Sequence, residues 1–211
     1  MKIYKLGLLA FFTVFLLSCE KETEGLSRVT YFADFEMTGS DFYFAILNST
    51  FTDPGIKAFE DGKELSVTTT GTVDTSSPGI YQLTYSAINS DGFSASVSRM
   101  VAVVNALPTE DYSGSYIRQP PQTANPATIT KIGGILGYYR TTDGGNQSGT
   151  RVPLDFVDMG DGTLLIPLAT SVFGPFKGGG SFLSDGRINF DFTYVDGVNL
   201  GYRMNTIWQK Q

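Results

Sequence analysis

Residues 79–87, GIYQLTYSA, place an apolar side chain at every second position. This period of two indicates a half-buried β-strand. The turn sequence NSDG follows at 89–92, and residues 93–104 predict a returning antiparallel strand. The face of that second strand is ambiguous around Arg99, where a β-bulge would resolve the pattern. The chain therefore has a long hairpin around which a sheet can form.

Similar segments recur along the rest of the chain. Residues 65–73 are rich in Thr and Val, and residues 187–195 alternate as strictly as the hairpin does. Outside the first 18 residues no segment has helical periodicity, and only 17% of the residues are charged. Short strands separated by turns at Gly, Pro, Asn and Asp predict an all-β protein built from antiparallel sheets.

A longer pattern of short motifs runs through this region. Its elements are Gly-x-Val-Asp at 71–74, Pro-Gly at 78–79, Tyr-x-Leu-x-Tyr-x-Ala at 81–87 and Arg-x-Val-x-Val at 99–103. The order of these motifs closely resembles bacterial Ig-like domains, which occur as modules in surface proteins, and the resemblance covers about residues 29–105. It implies a β-sandwich that acts as a spacer or interaction surface, with pattern residues that serve packing and turns.

A linker, NALPTEDYSG, follows at 105–114. The net charge changes across it, from −7 over residues 20–107 to −1 over residues 108–211. Proline and charged residues are typical of domain boundaries. We therefore predict an Ig-like sandwich at 29–106 and a second β-domain at 107–211, which meet near the linker proline as independent folding units.

The second domain is predicted to be a small barrel or a sandwich. Its first strand follows Gly114 and its last contains Trp208, an order similar to that of lipocalin-type barrels. Residues 155–162, DFVDMGDG, favour a hairpin turn, because their Asp spacing does not fit a calcium loop. Residues 176–182, FKGGGSF, lack the ending of a phosphate-binding loop and predict a flexible loop.

The N-terminus has the features of an export signal. Residues 1–18 combine Lys2 and Lys5 with an apolar run that is too short to span a bilayer. The run ends in Leu-Leu-Ser followed by Cys19, which resembles a bacterial lipobox. The resemblance implies that the signal peptide is removed and that Cys19 carries acyl chains, which anchor the protein to a lipid bilayer.

Residues 19–28 predict a charged tether. The acidic sequence EKETE after Cys19 resembles the surface-export signal of Bacteroidota lipoproteins. That resemblance implies an outer-membrane lipoprotein that faces the cell exterior. The order of lipobox, tether, Ig-like module and C-terminal β-domain resembles uncharacterised Bacteroidota surface lipoproteins. Such proteins often accompany SusC/SusD-type uptake systems as accessory binders of glycans or peptides.

Several function classes are disfavoured by composition. The chain has no histidine and one cysteine, so Ser-His-Asp and Cys-His nucleophile systems and histidine-based zinc sites are absent from it. Removal of residues 1–18 leaves thirteen basic and twenty-one acidic side chains, a net charge of −8 that argues against nucleic acid as a partner. Paired carboxylates for glycoside hydrolysis remain open, although four of the six C-terminal aspartates weighed for this role flank turns that contain glycine, where aspartate is favoured. On balance we predict no enzymatic activity, no cofactor and no metal site.

Aromatic side chains remain as candidate contacts for a ligand. Tyrosine and tryptophan offer a large apolar face with a polar group, which suits glycans and oligopeptides. The leading hypothesis is a binding lipoprotein for nutrient capture, and the alternative is a structural or adhesive protein with the Ig-like module as its stalk. The candidate binding residues are Tyr138, Tyr139, Arg140, Tyr202, Arg203 and Trp208.

Overall fold

Strands make up nearly all the regular structure of this chain. The computed structural model describes residues 29–120, 126–145 and 149–211, so the signal peptide, Cys19 and the tether lie outside the described residues. One 3-10 turn lies at Ile132–Gly134. The strands are β1 (Asp34–Met37), β2 (Phe42–Ile46), β3 (Ile56–Glu60), β4 (Lys63–Leu65), β5 (Thr68–Thr70), β6 (Gly79–Ile88), β7 (Ser94–Val104), β8 (Gly114–Gln119), β9 (Ala127–Lys131), β10 (Tyr138–Thr141), β11 (Leu154–Asp158), β12 (Thr163–Ser171), β13 (Gly174–Phe182), β14 (Arg187–Tyr194) and β15 (Arg203–Lys210).

The first seven strands form the Ig-like sandwich. One sheet has the order β1-β3-β4, and the other has the order β2-β7-β6-β5, with β2 parallel to β7. β6 and β7 pair without a break from Gly79↔Val103 to Ile88↔Ser94, which confirms the predicted hairpin. The bulge expected near Arg99 is absent from this pairing. The apolar run at the end of β7 is instead continuous because both faces of the strand are buried.

Arg99 is fully buried between the two sheets. Its guanidinium forms an ion pair with Asp53 and donates to the Tyr85 hydroxyl at 3.1 Å. Further N–H groups donate to the backbone carbonyls of Thr38, Ser40 and Gly55 at 2.6, 3.0 and 3.3 Å. Burial and the hydrogen bond to Asp53 raise the pKa of Tyr85 to about 12. One side chain therefore connects β7 to two loops of the sandwich.

The last eight strands form a closed antiparallel barrel. Each strand pairs with its neighbour in the chain, and β15 closes the barrel against β8. This topology selects the barrel from the two predicted alternatives and confirms the expected contact between first and last strands. β11 and β12 form the expected hairpin across residues 159–162.

The barrel interior is filled by aromatic side chains. The alternation at 187–195 places Ile188 and three aromatic side chains, Phe190, Phe192 and Tyr194, inward from β14, as predicted. Residues 176–182 lie within β13, so the prediction of a flexible loop there is wrong. Gly178 and Gly180 lie where a larger side chain would collide with β14, which explains why glycine replaces the usual strand formers. The large buried interior residues are Tyr116, Tyr139, Phe156, Phe176, Phe190, Phe192, Tyr194 and Trp208.

Substitution of Gly180 by alanine is expected to destabilise the barrel. The new Cβ would lie 1.9 Å from the backbone oxygen of Asn189, so β13 and β14 would have to separate. Overpacking of this kind costs about 1–3 kcal/mol in the free energy of unfolding. Urea denaturation followed by Trp208 fluorescence measures the change. Gly79→Ala is the control, because its Cβ would have only ordinary contacts, the nearest at 3.6 Å; equal stability of the two variants would contradict the prediction.

The two domains share an apolar interface. The rings of Phe42 in β2 and Tyr138 in β10 stack at 4.2 Å between centroids. The backbone N–H groups of Asn105 and Ala106 both donate to the carbonyl of Met159, at 2.9 and 3.2 Å. The barrel is thereby held against the outer face of sheet β2-β7-β6-β5. The buried residues of this interface are Phe42, Ala102, Val104, Tyr138, Val157 and Met159.

Candidate functional site: the distal rim of the barrel

Three of the six predicted binding residues have buried side chains. Tyr139 and Trp208 lie inside the barrel at 0% and 1% exposure, and Tyr138 lies in the domain interface at 8%. Neighbours on a strand point to opposite faces, so one of the adjacent tyrosines faces away from the barrel core and is exposed unless both faces of the strand are covered. The structure shows that both faces are covered, since the barrel interior covers one face of β10 and the Ig-like domain covers the other. These three aromatic rings therefore offer no open binding surface.

The two predicted arginines form ion pairs on the outer wall of the barrel. Arg140 contacts Asp155 through two hydrogen bonds of 2.6 and 2.8 Å, and Arg203 makes the same two-pronged contact with Asp191. Each contact raises the pKa of the arginine, and the Arg203 contact lowers the pKa of Asp191. β10 and β15 are separated by two strands, so Arg140 and Arg203 do not form one cluster.

Tyr202 and Arg203 lie at the end of the barrel away from the Ig-like domain. The strands alternate in direction, so the connections β10–β11, β12–β13 and β14–β15 meet at this end. The Asn199 amide donates to the carbonyl of Phe173 at 2.7 Å and joins two of these loops. We call this end the distal rim. Its exposed apolar side chains are Leu168, Val172, Val198, Leu200 and Tyr202.

The exposure of these side chains is high for apolar residues. Val172 and Val198 are 83% and 100% exposed, and Tyr202 is half exposed. Sequence analysis missed all but Tyr202. A usable signal was present in VDGVNLGYR at 195–203, where valine and leucine occupy a turn that ordinarily carries polar residues.

A groove of about 450 Å³ opens beside the rim. β11 and β12 pair only at Val157↔Leu165 and Asp158↔Leu164, and towards the rim β12 has an irregularity between Ile166 and Ala169. Pro167 lies in that irregularity and has no N–H to donate to a neighbouring strand. The barrel wall therefore separates here. The groove is lined by Thr150, Arg151, Pro153, Thr170, Ser171 and Val172.

Tyr194 lies directly beneath the rim. Its ring centroid is 6.4 Å from that of Tyr202, and its hydroxyl oxygen is buried without a hydrogen bond to the described residues. Burial raises the pKa of Tyr194, and the nearby Ser171 hydroxyl opposes the shift. The tyrosine is therefore neutral at physiological pH. The rim thus presents apolar side chains and one exposed tyrosine, with Arg203 at the rim and Arg151 in the groove. Such a surface suits contact with a sugar ring or an apolar peptide side chain.

The carboxylates at 155–162 have separate partners. Asp155 binds Arg140, whereas Asp158 accepts the N–H of Gly160 at 2.8 Å and Asp161 accepts that of Thr163 at 3.0 Å. The last two contacts are those of turn residues. Among the described residues, no group of three or more potential ligands is placed to hold a metal ion.

Comparison with known proteins identifies the first domain. Residues 35–103 match the family model for the Ig-like domain of bacterial surface proteins. The chain therefore carries a bacterial surface-protein Ig-like domain, followed by an eight-stranded barrel.

One solved structure similar to this chain is that of a lipoprotein from Bacteroides thetaiotaomicron. The two are 21% identical, with a TM-score of 0.41, and the match covers 85% of this chain and 100% of the other. No curated protein matches this sequence. In the part of the chain that the structure describes, no helix is long and apolar enough to cross a membrane.

Proposed function

We propose that this protein is a non-catalytic surface lipoprotein that binds a glycan or oligopeptide at the distal rim. The observation that carries the proposal is the group of apolar side chains exposed there, among them Val172, Val198 and Tyr202. The barrel interior is occupied by aromatic rings, so a ligand of the barrel binds on its surface, and the exposed apolar side chains favour the rim. The adjoining groove is large enough for part of a small ligand.

Attachment and location follow from the N-terminal sequence. The lipobox-like end of the signal peptide supports acylation of Cys19, and the acidic tether supports export to the outer face of the outer membrane. The domain order supports an accessory role in nutrient capture beside a SusC/SusD-type transporter. In this arrangement the rim is the end of the barrel away from the Ig-like domain, where it is free to meet solutes.

Binding at the rim predicts a defined loss of affinity. A screen of glycans and oligopeptides against residues 19–211 should yield a ligand. We expect its affinity to fall at least about fivefold in Tyr202→Ala and in Leu200→Ala, because truncation of a central contact typically costs more than ~1 kcal/mol of binding free energy. Calorimetry measures the affinities after circular dichroism shows that each variant is folded. Ile46→Ala, which removes an exposed apolar side chain from the Ig-like domain, is the control. Unchanged affinity in both rim variants would contradict the rim as the site.

Acylation predicts that Cys19→Ala abolishes incorporation of an alkyne fatty acid during metabolic labelling. Cys19 is the only cysteine of the chain, so no other thiol can accept the acyl group. We expect the variant to be released in soluble form or retained with its signal peptide. Ser18→Ala, which leaves the thiol in place, is the matched control. Undiminished labelling of Cys19→Ala would contradict the lipobox.

An adhesive or structural role is the second candidate. The apolar interface between the domains favours this role, because it packs the barrel against the Ig-like module, which can then act as a stalk that presents the barrel. Genetic context and phenotype distinguish the two roles. A neighbouring SusC/SusD pair supports nutrient capture, whereas loss of adhesion or of a surface polymer on deletion supports the alternative.

A further inference from the structure

The end of the Ig-like domain where the chain enters from the tether exposes apolar side chains. The rings of Phe32 and Phe93 contact each other at 5.6 Å between centroids. The Asn89 amide donates to the carbonyl of Tyr31 at 2.7 Å and fixes the entering segment to the β6–β7 turn. We call this surface the entry patch. Its members are Val29, Tyr31, Phe32, Ile88 and Phe93, which are between 48% and 67% exposed.

The entry patch lies far from the barrel. The β6–β7 hairpin has its turn at the patch, and its other end, near Gly79 and Val103, adjoins the interface with the barrel. β6 contains ten residues, so this separation is about 30 Å at the usual rise of a strand. Neither domain of the described structure covers these aromatic side chains.

We propose that the entry patch rests on the interface of the lipid bilayer that holds Cys19, an inference that depends on the proposed acylation. Nine residues separate Cys19 from Val29, so the patch is always within about 35 Å of the anchor. A tether this short gives an effective concentration in the millimolar range. A contact between the patch and the bilayer is then occupied most of the time if its dissociation constant lies below this concentration.

The chemistry of the patch fits a bilayer interface. Tyrosine is enriched at the level of the headgroups, and phenylalanine is typical of side chains buried at the boundary between headgroups and acyl chains. Two shallow grooves beside the patch, of about 400 and 500 Å³, are lined in part by Glu60, Asp61 and Asp91. These carboxylates are repelled by anionic headgroups, so burial of apolar surface has to drive the contact. The surface therefore fits a zwitterionic interface better than an anionic one.

The single cysteine permits a direct test. Residues 19–211 are coupled through Cys19 to a maleimide lipid in phosphatidylcholine vesicles that contain lipids brominated near the headgroup. Trp208 is buried in the barrel and supplies a constant background. We expect the added emission of Phe32→Trp and of Phe93→Trp to fall at least twofold in these vesicles. Val198→Trp, at a fully exposed position of the distal rim, is the control that should keep its emission.

Each other result overturns the proposal. Unquenched emission from both patch variants would show that the patch stays in water, and equal quenching at Val198 would show no preferred orientation. If the Phe32→Trp variant forms a dimer without vesicles and the new tryptophan is shielded from solvent in it, the patch serves self-association instead. Acylation itself is tested separately by fatty-acid labelling of Cys19. The vesicle experiment does not depend on acylation, because the protein is attached through the maleimide lipid.

Discussion

Asp53→Ala is expected to destabilise the Ig-like domain by about 3–5 kcal/mol, because it leaves the guanidinium of Arg99 buried without its counter-ion. The Tyr85 hydroxyl, which donates to Asp53 at 2.8 Å, loses its acceptor as well. The remaining carbonyl partners of Arg99 cannot neutralise the charge. Urea denaturation followed by far-ultraviolet circular dichroism measures the loss.

An exposed ion pair of the same domain provides the control. Lys57 and Glu64 lie 3.5 Å apart with side chains about 60% exposed, so Lys57→Met should cost less than about 1 kcal/mol. The double variant Asp53→Ala, Arg99→Met should lose less free energy of unfolding than the sum of the losses in the two single variants. The reason is that it removes both charges and leaves neither of them buried without a partner. A loss below 1 kcal/mol for Asp53→Ala would contradict a structural role for the pair.

Local sequence was sufficient to predict the strands in which apolar side chains alternate with polar ones. The alternation in β6 and β14 gave both the element and the inward side chains, and turn residues gave the hairpin between β6 and β7. These features depend on neighbours within a few residues, so the sequence contains them directly. Arg99 was harder to place, because its burial depends on Asp53, 46 residues away in the chain.

The candidate site was predicted less well, for a physical reason. Tyr138 or Tyr139 was predicted to be exposed unless both faces of the strand are covered, and β10 is covered on its outer face by the other domain. A covering domain is not visible in the period of a single strand. Gly178 and Gly180 were assigned to a loop by propensity, whereas the close approach of β13 and β14 requires them in a strand. In each case a contact distant in sequence overrides the local preference.

The interface between the domains predicts that a substitution in one domain weakens the other. Phe42→Ala removes a ring that stacks on Tyr138 at 4.2 Å, and loss of a buried phenylalanine typically costs about 3–5 kcal/mol. Trp208, the only tryptophan, lies inside the barrel and reports its unfolding. We expect Phe42→Ala to lower the urea midpoint of the Trp208 transition, although Phe42 belongs to the Ig-like domain.

Phe51→Ala is the matched control for this coupling. Phe51 packs against the sandwich core on the side of the sheet away from the barrel, so its loss should weaken the Ig-like domain and leave the Trp208 midpoint unchanged. An unchanged midpoint in Phe42→Ala would contradict the coupling and favour the independent folding units predicted from the linker. Equal shifts in both variants would instead show that the two domains unfold as one cooperative unit, because damage far from the interface would then reach Trp208.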